Sequence, residues 1–379
     1  MSKNNKIWLS SPHMGGEEQK YISKALQDNW VSSVGPNITG FENVLEKYLE
    51  ENRSVAVTNT GTSALHLALI LAGVSSNDEV LCQTFTFIAS VNPVLYQGAI
   101  PIFIDSEFET WNMCPIKLEE AILDRLSNGT KPKAIIVVHL YGMPAQIDKI
   151  QSIAKKYDIT LIEDAAEALG SSYKGQKCGT FGDYGILSFN GNKIITTSGG
   201  GALICNDQET KGKAIFLATQ AKDNKHYYEH SKLGYNYRMS NISAGIGRGQ
   251  MEVLEKRIQS RIDIHSFYEE VFEELNGVKV FKISNCDYVS NYWLTCILID
   301  EGIAGFSNEE LRLQFMTDNI ESRLLWKPMH LQPLFCKEEY YGNNTSEVLF
   351  KKGLCLPSGS NMTNIEKKRI KASLYKVLR

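Results

Sequence analysis

Between residues 55 and 204, short apolar segments alternate with helical patterns, and this rhythm limits the folds that the chain can adopt. Each apolar segment has the length of a strand, and a longer stretch with helical spacing of its apolar residues follows it. Such alternation is typical of β-α-β crossover units, which build a mostly parallel sheet. We therefore predict an α/β fold in which helices sandwich a mostly parallel central sheet. The clearest predicted strands lie at residues 80–82, 102–104, 134–138 and 161–163.

The C-terminal part of the chain has a different pattern. Residues 242–275 show one long helical pattern, which we expect to run as a single helix from a large domain into a smaller one. This predicts a large domain of residues 1–250 and a smaller C-terminal α+β domain of residues 251–379. The elements predicted beyond the long helix are strands at residues 292–299 and 320–324 and helices at residues 308–316 and 365–378.

The composition excludes several classes of partner. The 379 residues carry a formal net charge of −3 at pH 7, so no positive field attracts nucleic acid or an anionic membrane. Residues 1–6 are polar, and the longest apolar run, at residues 65–72, is too short to span a bilayer. None of the 8 cysteines forms a C-x-x-C pair, so no metal site is predicted. We expect a cytoplasmic protein that binds neither nucleic acid nor membrane.

Lys193 is the first candidate for chemistry. It follows an apolar stretch at residues 184–187, and a loop of small and polar residues separates it from the next apolar segment at residues 202–204. A lysine in a partly dry loop can form an imine with a carbonyl compound. A surface lysine at the end of a strand is the commoner case, so the assignment depends on the segments that accompany it.

Three other segments also come at the ends of predicted strands. In residues 55–69 a β-branched run leads through small hydroxylated residues into a helix, whose N-terminal amides and dipole favour a phosphate. Ordinary helix capping explains the same residues equally well. Residues 84–90 include Phe85 and Phe87, which can stack on a flat ring or pack in the core. Residues 159–170 bring Asp164 to the end of a strand, where it can pair with a ring nitrogen or cap a helix.

Together the four segments supply the groups needed to hold pyridoxal phosphate. They provide a phosphate cup, a stacking aromatic ring, a carboxylate and an imine-forming lysine, while the cofactor itself supplies the electron sink. No Gly-x-Gly-x-x-Gly run follows the first strand, so a dinucleotide site is not indicated.

The order of these segments and the residues in them resemble those of the DegT/DnrJ/EryC1/StrS family of sugar aminotransferases. The resemblance begins at residues 9–16, continues through residues 30–36 and 234–241, and ends near residue 357. It implies the fold of aspartate aminotransferase, known as fold type I of the pyridoxal phosphate enzymes.

The resemblance also implies roles for individual residues. Lys193 would bind the cofactor covalently and move a proton between the cofactor and substrate carbons. Asp164 would pair with the pyridinium nitrogen, and Phe87 would stack on the ring. The further cofactor contacts that it implies are Gly61, Thr62 and Ser188 at the phosphate, Glu167 at the phenolic oxygen, and Asn236 from the neighbouring subunit of a homodimer with shared active sites.

Two positions depart from the common pattern of the family. Glu167 stands where most members have Gln, so this acid would have to be protonated or bonded elsewhere. Ser198 begins a run that is Gly-Glu-Gly-Gly in most members. Both departures, with residues 326–330, are similar to a narrower branch that aminates the C4 ketone of a UDP-linked 4-keto-6-deoxy-N-acetylhexosamine, on the route to bacillosamine-type sugars.

The reaction that this branch implies takes its amino group from glutamate. Amination at C3 and a dTDP- or GDP-linked keto sugar stay open as alternatives, and so does a sugar dehydratase, although relatives that dehydrate carry His in place of Lys193. The candidate substrate-binding residues are Arg238, Arg323, Trp326, Lys327 and His330.

Overall fold

A sheet of eight strands forms the centre of the computed structural model, which describes residues 5–50 and 52–378. Residues 1–4 of the polar N-terminal stretch lie outside the described residues. The strands, in chain order, are β1 (Ser54–Thr58), β2 (Glu79–Gln83), β3 (Ile100–Ile104), β4 (Ala134–Val138), β5 (Thr160–Asp164), β6 (Ser172–Tyr173), β7 (Gln176–Lys177), β8 (Tyr184–Ser188), β9 (Gly201–Cys205), β10 (Val278–Val280), β11 (Tyr288–Val289), β12 (Thr295–Ile299), β13 (Arg323–Leu324), β14 (Tyr340–Tyr341) and β15 (Gly353–Leu356).

The central sheet is mostly parallel, as the sequence predicts. Its strand order is β1-β9-β8-β5-β4-β2-β3-β14, and β9 is antiparallel to both of its neighbours while the other pairs are parallel. The predicted strands coincide with β2, β3, β4 and β5. Strands β1, β4 and β9 are buried along their whole length, which explains their continuous apolar or small character.

Helices cover both faces of this sheet. The helices, in chain order, are α1 (Glu18–Gln27), α2 (Pro36–Leu49), α3 (Gly61–Leu71), α4 (Asn92–Tyr96), α5 (Pro115–Ser127), α6 (Ile147–Tyr157), α7 (Gln208–Ala218), α8 (Asn241–Met251), α9 (Leu254–Phe272), α10 (Glu301–Ala304), α11 (Asn308–Thr317), α12 (Thr345–Lys352) and α13 (Asn364–Val377). Helices α3 and α7 pack on one face, and α2, α5, α6 and α8 pack on the other. Alternate residues of each strand contribute to the two layers.

The single helix predicted over residues 242–275 is two helices. Helix α8 ends at Met251 and α9 begins at Leu254, because Val253 adopts φ −117° and ψ 6° between them. Close packing against α1 fixes the direction of α8: a Cβ added at Gly249 would lie 2.6 Å from the backbone nitrogen of Glu18. The prediction was wrong because the apolar spacing continues through the break and no proline marks it.

A second sheet, of order β10-β12-β15-β13, lies in the C-terminal part of the chain and packs against α9, α11 and α13. The helices predicted at residues 308–316 and 365–378 are confirmed. Strand β12 begins three residues later than predicted because Tyr292 adopts a positive φ of 47°, which no strand residue takes. The domain boundary near residue 250 stays a prediction. In the described part of the chain, each helix is too short or too polar to cross a bilayer.

Candidate active site

A cavity of about 280 Å³ lies at the carboxyl ends of the central parallel strands. Ligands bind at this edge in open α/β sheets because loops diverge there and helix N-termini point toward it. All four segments identified in the sequence reach this cavity. They contribute Thr62, Phe87, Asp164, Ser188 and Lys193 to its lining.

One end of the cavity is built to hold an anion. The Oγ1 of Thr60 caps α3 by accepting a hydrogen bond of 2.9 Å from the amide of Ser63. The amides of Gly61 and Thr62 begin the same helix and therefore have no acceptor within it. Ser188 lies against this helix end, since a Cβ added at Gly61 would be 3.2 Å from its Cβ. Two free amides, a hydroxyl and the helix dipole favour an anion, so this end of the cavity is the candidate phosphate site.

Glycine is required where β9 meets this helix end. A Cβ added at Gly201 would lie 2.3 Å from the backbone nitrogen of Gly61, a distance that no side chain can accommodate. The run of glycines that ends at Gly201 therefore lets β9 approach the phosphate site closely.

Asp164 is a fixed, buried carboxylate at the end of β5. Its Oδ2 accepts a hydrogen bond of 2.7 Å from the hydroxyl of Ser90, and its Oδ1 accepts one of 3.1 Å from the amide of Ala166. The Ser90 hydroxyl lies 2.8 Å from the hydroxyl of Thr86. Because Ser90 has one proton and gives it to Asp164, Thr86 must donate to Ser90. This chain of hydroxyls fixes the orientation of the carboxylate.

The amine of Lys193 lies between an acid and an indole ring. Its Nζ is 3.4 Å from Oε1 of Glu167 and 4.0 Å from the centroid of the Trp293 ring, and its side chain is 12% exposed. Trp293 is itself fixed by a hydrogen bond of 2.7 Å from its Nε1 to the carbonyl oxygen of Asn192. The loop therefore holds the amine in a site that is partly shielded from water, which is the environment that imine formation by a lysine needs.

Glu167, which stands where most family members have Gln, has partners for both of its carboxylate oxygens. Its Oε2 accepts a hydrogen bond of 2.8 Å from the amide of Tyr141, and its Oε1 faces Lys193. Burial raises the pKa of Glu167 above its usual range. The acid is thus bonded to Tyr141 and is easier to protonate than an exposed glutamate, while its contact with the cofactor's phenolic oxygen stays a prediction.

Aromatic rings form one wall of the cavity. Phe87 is half exposed, and its ring centroid lies 5.2 Å from that of Trp326. Tyr141 stacks between Trp326 and Trp293, at centroid distances of 6.0 and 6.5 Å. This wall is apolar and rigid, which suits a flat ring or the C–H face of a sugar.

Two of the predicted substrate residues are turned away from the cavity. Arg238 donates from Nη1 to Glu42 at 2.6 Å and to the carbonyl oxygen of Val57 at 3.0 Å, which holds it against β1. The Nδ1 of His330 lies 2.7 Å from the hydroxyl of Thr84, and burial lowers the pKa of His330. These contacts occupy both side chains within this chain, and a substrate role for either of them stays a prediction.

Three other predicted residues are exposed and do not line the cavity within this chain. Arg323 pairs with Glu321 at 2.8 Å, and Lys327 and Asn236 lie at the surface. Of the predicted substrate residues, only Trp326 reaches the cavity.

The structure also adds residues that sequence reasoning missed. Ser90 lies in a segment that the sequence analysis selected for its aromatic residues, so its hydroxyl was overlooked. Trp293 and Tyr141 come from distant parts of the chain, and no local pattern marks them.

A larger groove, of about 520 Å³, lies at the opposite edge of the sheet. Its lining includes Thr160 and Tyr184, which begin β5 and β8. Its Lys155 and Asp158 are exposed, and the side chain of Asp207 itself caps the N-terminus of α7, so that helix end already has an acceptor. The smaller cavity, at the carboxyl ends of the strands, is therefore the candidate active site.

Comparison with known proteins identifies the family. Residues 12–375 match the model of the DegT/DnrJ/EryC1/StrS aminotransferase family. The chain belongs to this family. It is 48% identical to EpsN of Bacillus subtilis (strain 168) over 371 residues, which cover 97% of this chain and 94% of EpsN. It is 39% identical to the GDP-perosamine synthase of Escherichia coli O157:H7 over 360 residues, 94% of each chain.

Solved structures of family members confirm fold type I. A DegT/DnrJ/EryC1/StrS aminotransferase from Brucella abortus superposes with a TM-score of 0.87 at 28% identity, over 95% of each chain. Spr1654 from Streptococcus pneumoniae, solved in a PLP-form, gives a TM-score of 0.88 at 25% identity, over 98% of each chain. The enzyme is therefore a pyridoxal phosphate-dependent sugar aminotransferase. The donor set of the cavity fits that cofactor: free amides for the phosphate, a buried carboxylate for the ring nitrogen and an amine for the aldehyde.

Proposed function

We propose that the enzyme acts in the cytoplasm and moves an amino group from glutamate to the C4 ketone of a UDP-linked 4-keto-6-deoxy-N-acetylhexosamine. Such a product serves the bacillosamine-type biosynthesis of surface glycans or glycoprotein sugars. The observation that carries the proposal is that one cavity holds the amine of Lys193 at one side and the indole of Trp326 at the other. An apolar wall beside the reacting amine suits a deoxygenated sugar ring.

The names of two relatives bear on the sugar and its carrier. A Campylobacter jejuni relative, 32% identical over 94% of this chain, is a UDP-4-amino-4,6-dideoxy-N-acetyl-β-L-altrosamine transaminase. That name describes a sugar with nitrogen at C4, no oxygen at C6 and a UDP carrier. The Escherichia coli relative is named for a GDP-linked sugar. A GDP-linked keto sugar is therefore the second candidate substrate.

In this proposal the residues of the cavity have distinct roles. When bound, pyridoxal phosphate supplies the electron sink that stabilises a carbanion. Gly61, Thr62 and Ser188 hold its phosphate, and Asp164 keeps its ring nitrogen protonated. Lys193 attaches the cofactor and carries the proton to the sugar carbon.

A second copy of the chain completes the site in this proposal. Within the described residues of one chain, Lys193 is the one cation that lines the cavity, and a nucleoside diphosphate requires more positive charge or additional donors. Asn236 is exposed beside the exposed Tyr-rich loop at residues 226–230 and is available to a neighbour. We infer a homodimer in which Asn236 contacts the phosphate bound to the partner.

The test is a panel of UDP-, GDP- and dTDP-linked 4-keto-6-deoxy sugars assayed with glutamate. We expect the UDP-linked N-acetylhexosamine to give the highest kcat/KM, with release of 2-oxoglutarate and NMR signals that place nitrogen at C4. A preference for a GDP-linked sugar would establish the second candidate, and nitrogen at C3 would overturn the assignment of the ring position.

A further inference from the structure

Lys193 and Glu167 form a mostly buried ion pair at the cavity. Their side chains are 12% and 5% exposed, and the Nζ to Oε1 distance is 3.4 Å. An ammonium group has no lone pair, so Lys193 must lose a proton before it attacks an aldehyde. The carboxylate of Glu167, with Oε1 3.4 Å from Nζ, is in position to accept that proton.

The other ionisable groups around the pair are poorly placed to accept the proton. Asp164 is occupied by Ser90 and by the amide of Ala166. Burial raises the pKa of Tyr141 and of Cys296, so both keep their own protons. Further ionisable neighbours among the described residues include Cys355, beside Tyr141, and His13 and Arg261, which share a second small lining with Lys193.

His13 and Arg261 do not compete with Glu167. The two ring nitrogens of His13 lie 3.1 Å from the Ser360 hydroxyl and 3.2 Å from Arg257 Nη1, and Arg261 is a buried cation. Among the described residues, Glu167 is the one acid within bonding distance of the amine of Lys193.

We propose that Glu167 is the acid–base partner of Lys193. In the step that it performs, the proton moves from Nζ of the ammonium to Oε1 of the carboxylate, which leaves a neutral amine and a neutral carboxylic acid. The amine then forms a carbon–nitrogen double bond with the cofactor's aldehyde, and the aldehyde oxygen leaves as water. No oxidant, reductant or further reactant is needed.

Two features of the site favour this transfer. Burial and the nearby negative charge of Asp164 both raise the pKa of Glu167, so the neutral acid is accessible. The neutral carboxyl group is also a hydrogen-bond donor, which a carboxylate is not. It can therefore donate to an oxygen of the cofactor once Lys193 is attached.

The proposal has a distinctive pH signature. If the proton passes within the pair, the total number of protons does not change and the rate of attachment is independent of pH while the pair holds one proton. If Glu167 is only a counter-ion, the amine must lose its proton to solvent, and the rate rises about tenfold for each pH unit. The signature concerns the cofactor alone and is independent of which sugar the enzyme accepts.

The experiment measures capture of pyridoxal phosphate by the full-length apoenzyme in a stopped-flow instrument, between about pH 6 and pH 8. The visible absorption of the attached cofactor reports the rate, and borohydride reduction followed by mass spectrometry confirms attachment at Lys193. Glu167→Gln is the test variant because it keeps the shape of the side chain and removes its basicity. Glu79→Gln, which changes another buried acid in an ion pair remote from the cavity, is the matched control.

We expect the wild type and Glu79→Gln to give a flat profile and Glu167→Gln to give a rising one. The cofactor's own ionisations affect all three proteins equally, so the ratio of wild-type to Glu167→Gln rates should fall about tenfold for each pH unit. Parallel profiles for these two proteins, whether both flat or both rising, would overturn the proposal. A wild-type profile that rises tenfold for each pH unit would overturn it without any variant.

Discussion

At the scale of single residues, the proposed chemistry depends on the amine of Lys193, which its neighbours hold in place at the edge of an open cavity. The loop after β8 fixes Lys193 through contacts of its neighbours, including the bond between Trp293 and Asn192. The side chain of Lys193 then has two close partners, the acid of Glu167 and the face of Trp293. An amine in such a place can reach a bound ring without a large rearrangement of the loop.

Removal of this amine gives the most direct prediction. We expect Lys193→Ala to lower turnover at least about 10³-fold, since both the attachment and the proton transfer are lost. The cofactor should still bind, because the phosphate site and Asp164 are unchanged. Absorption spectra and mass spectrometry after borohydride reduction should show bound cofactor without a covalent adduct. Full activity in this variant would disprove the role of Lys193.

Ser90 is predicted to position Asp164. We expect Ser90→Ala to weaken cofactor binding about tenfold, because a buried carboxylate loses a hydrogen bond worth about 1–3 kcal/mol. Ser90→Thr keeps the hydroxyl and should restore most of the affinity. The matched control is Ser106→Ala, since the Ser106 hydroxyl is buried without a partner. Titration of each apoenzyme with pyridoxal phosphate measures the affinity, and equal losses in Ser90→Ala and Ser106→Ala would contradict the prediction.

Site residues that follow a recognisable strand can be predicted from the sequence, whereas residues that join the site only through long-range packing cannot. Lys193 and Asp164 follow strands that are recognisable from local apolar patterns, so their meeting at one sheet edge can be predicted. The side chain of Arg238 is held by a hydrogen bond to Glu42, which is 196 positions away in the chain. A contact over that separation cannot be predicted from local sequence. Trp293 likewise meets Lys193 only through tertiary packing, and no local signal marks such a contact.

At the scale of elements, glycines decide how closely α8 packs. Gly249 faces the backbone of α1, whereas Gly212 in α7 has open space around its Cβ position. We expect Gly249→Ala to lower the free energy of unfolding by about 1–3 kcal/mol through overpacking. Gly212→Ala should raise it by up to about 1 kcal/mol, since Ala favours the helix. Thermal unfolding of both variants tests the pair, and similar shifts of the same sign would refute the packing argument.

Elements differ in how well local sequence predicts them. Strands β2 to β5 are buried on both faces, so their apolar runs are sufficient evidence for each of them. Strand β14 has only two residues and exists because it pairs with β3. Two residues are too few to show a periodic pattern, so the sequence does not predict this strand. The antiparallel direction of β9 depends on the loop at residues 189–200, which carries Lys193. The break between α8 and α9 depends on packing against α1.

At the scale of the whole molecule, the central sheet and loops of the C-terminal part of the chain both line the cavity. The central sheet presents Asp164 and the phosphate site, while the C-terminal part of the chain presents Trp293 and Trp326. A relative movement of these two parts would therefore change the width of the sugar-binding side while it left the cofactor side intact. The remaining open side of the cavity is where we propose that a second chain contributes.

The final prediction tests that shared site. Asn236→Asp should inactivate a homodimer, because a carboxylate beside the phosphate costs several kcal/mol in repulsion. Lys193→Ala should inactivate one as well. In a mixed dimer of the two variants, one site combines an intact Lys193 with the intact Asn236 of the other chain, and the second site carries both defects. Co-expression with two different affinity tags isolates this mixed dimer, which should show about half of the wild-type activity. A mixed dimer as inactive as both parents would place each site within one chain, and an active Asn236→Asp homodimer would remove Asn236 from the phosphate site.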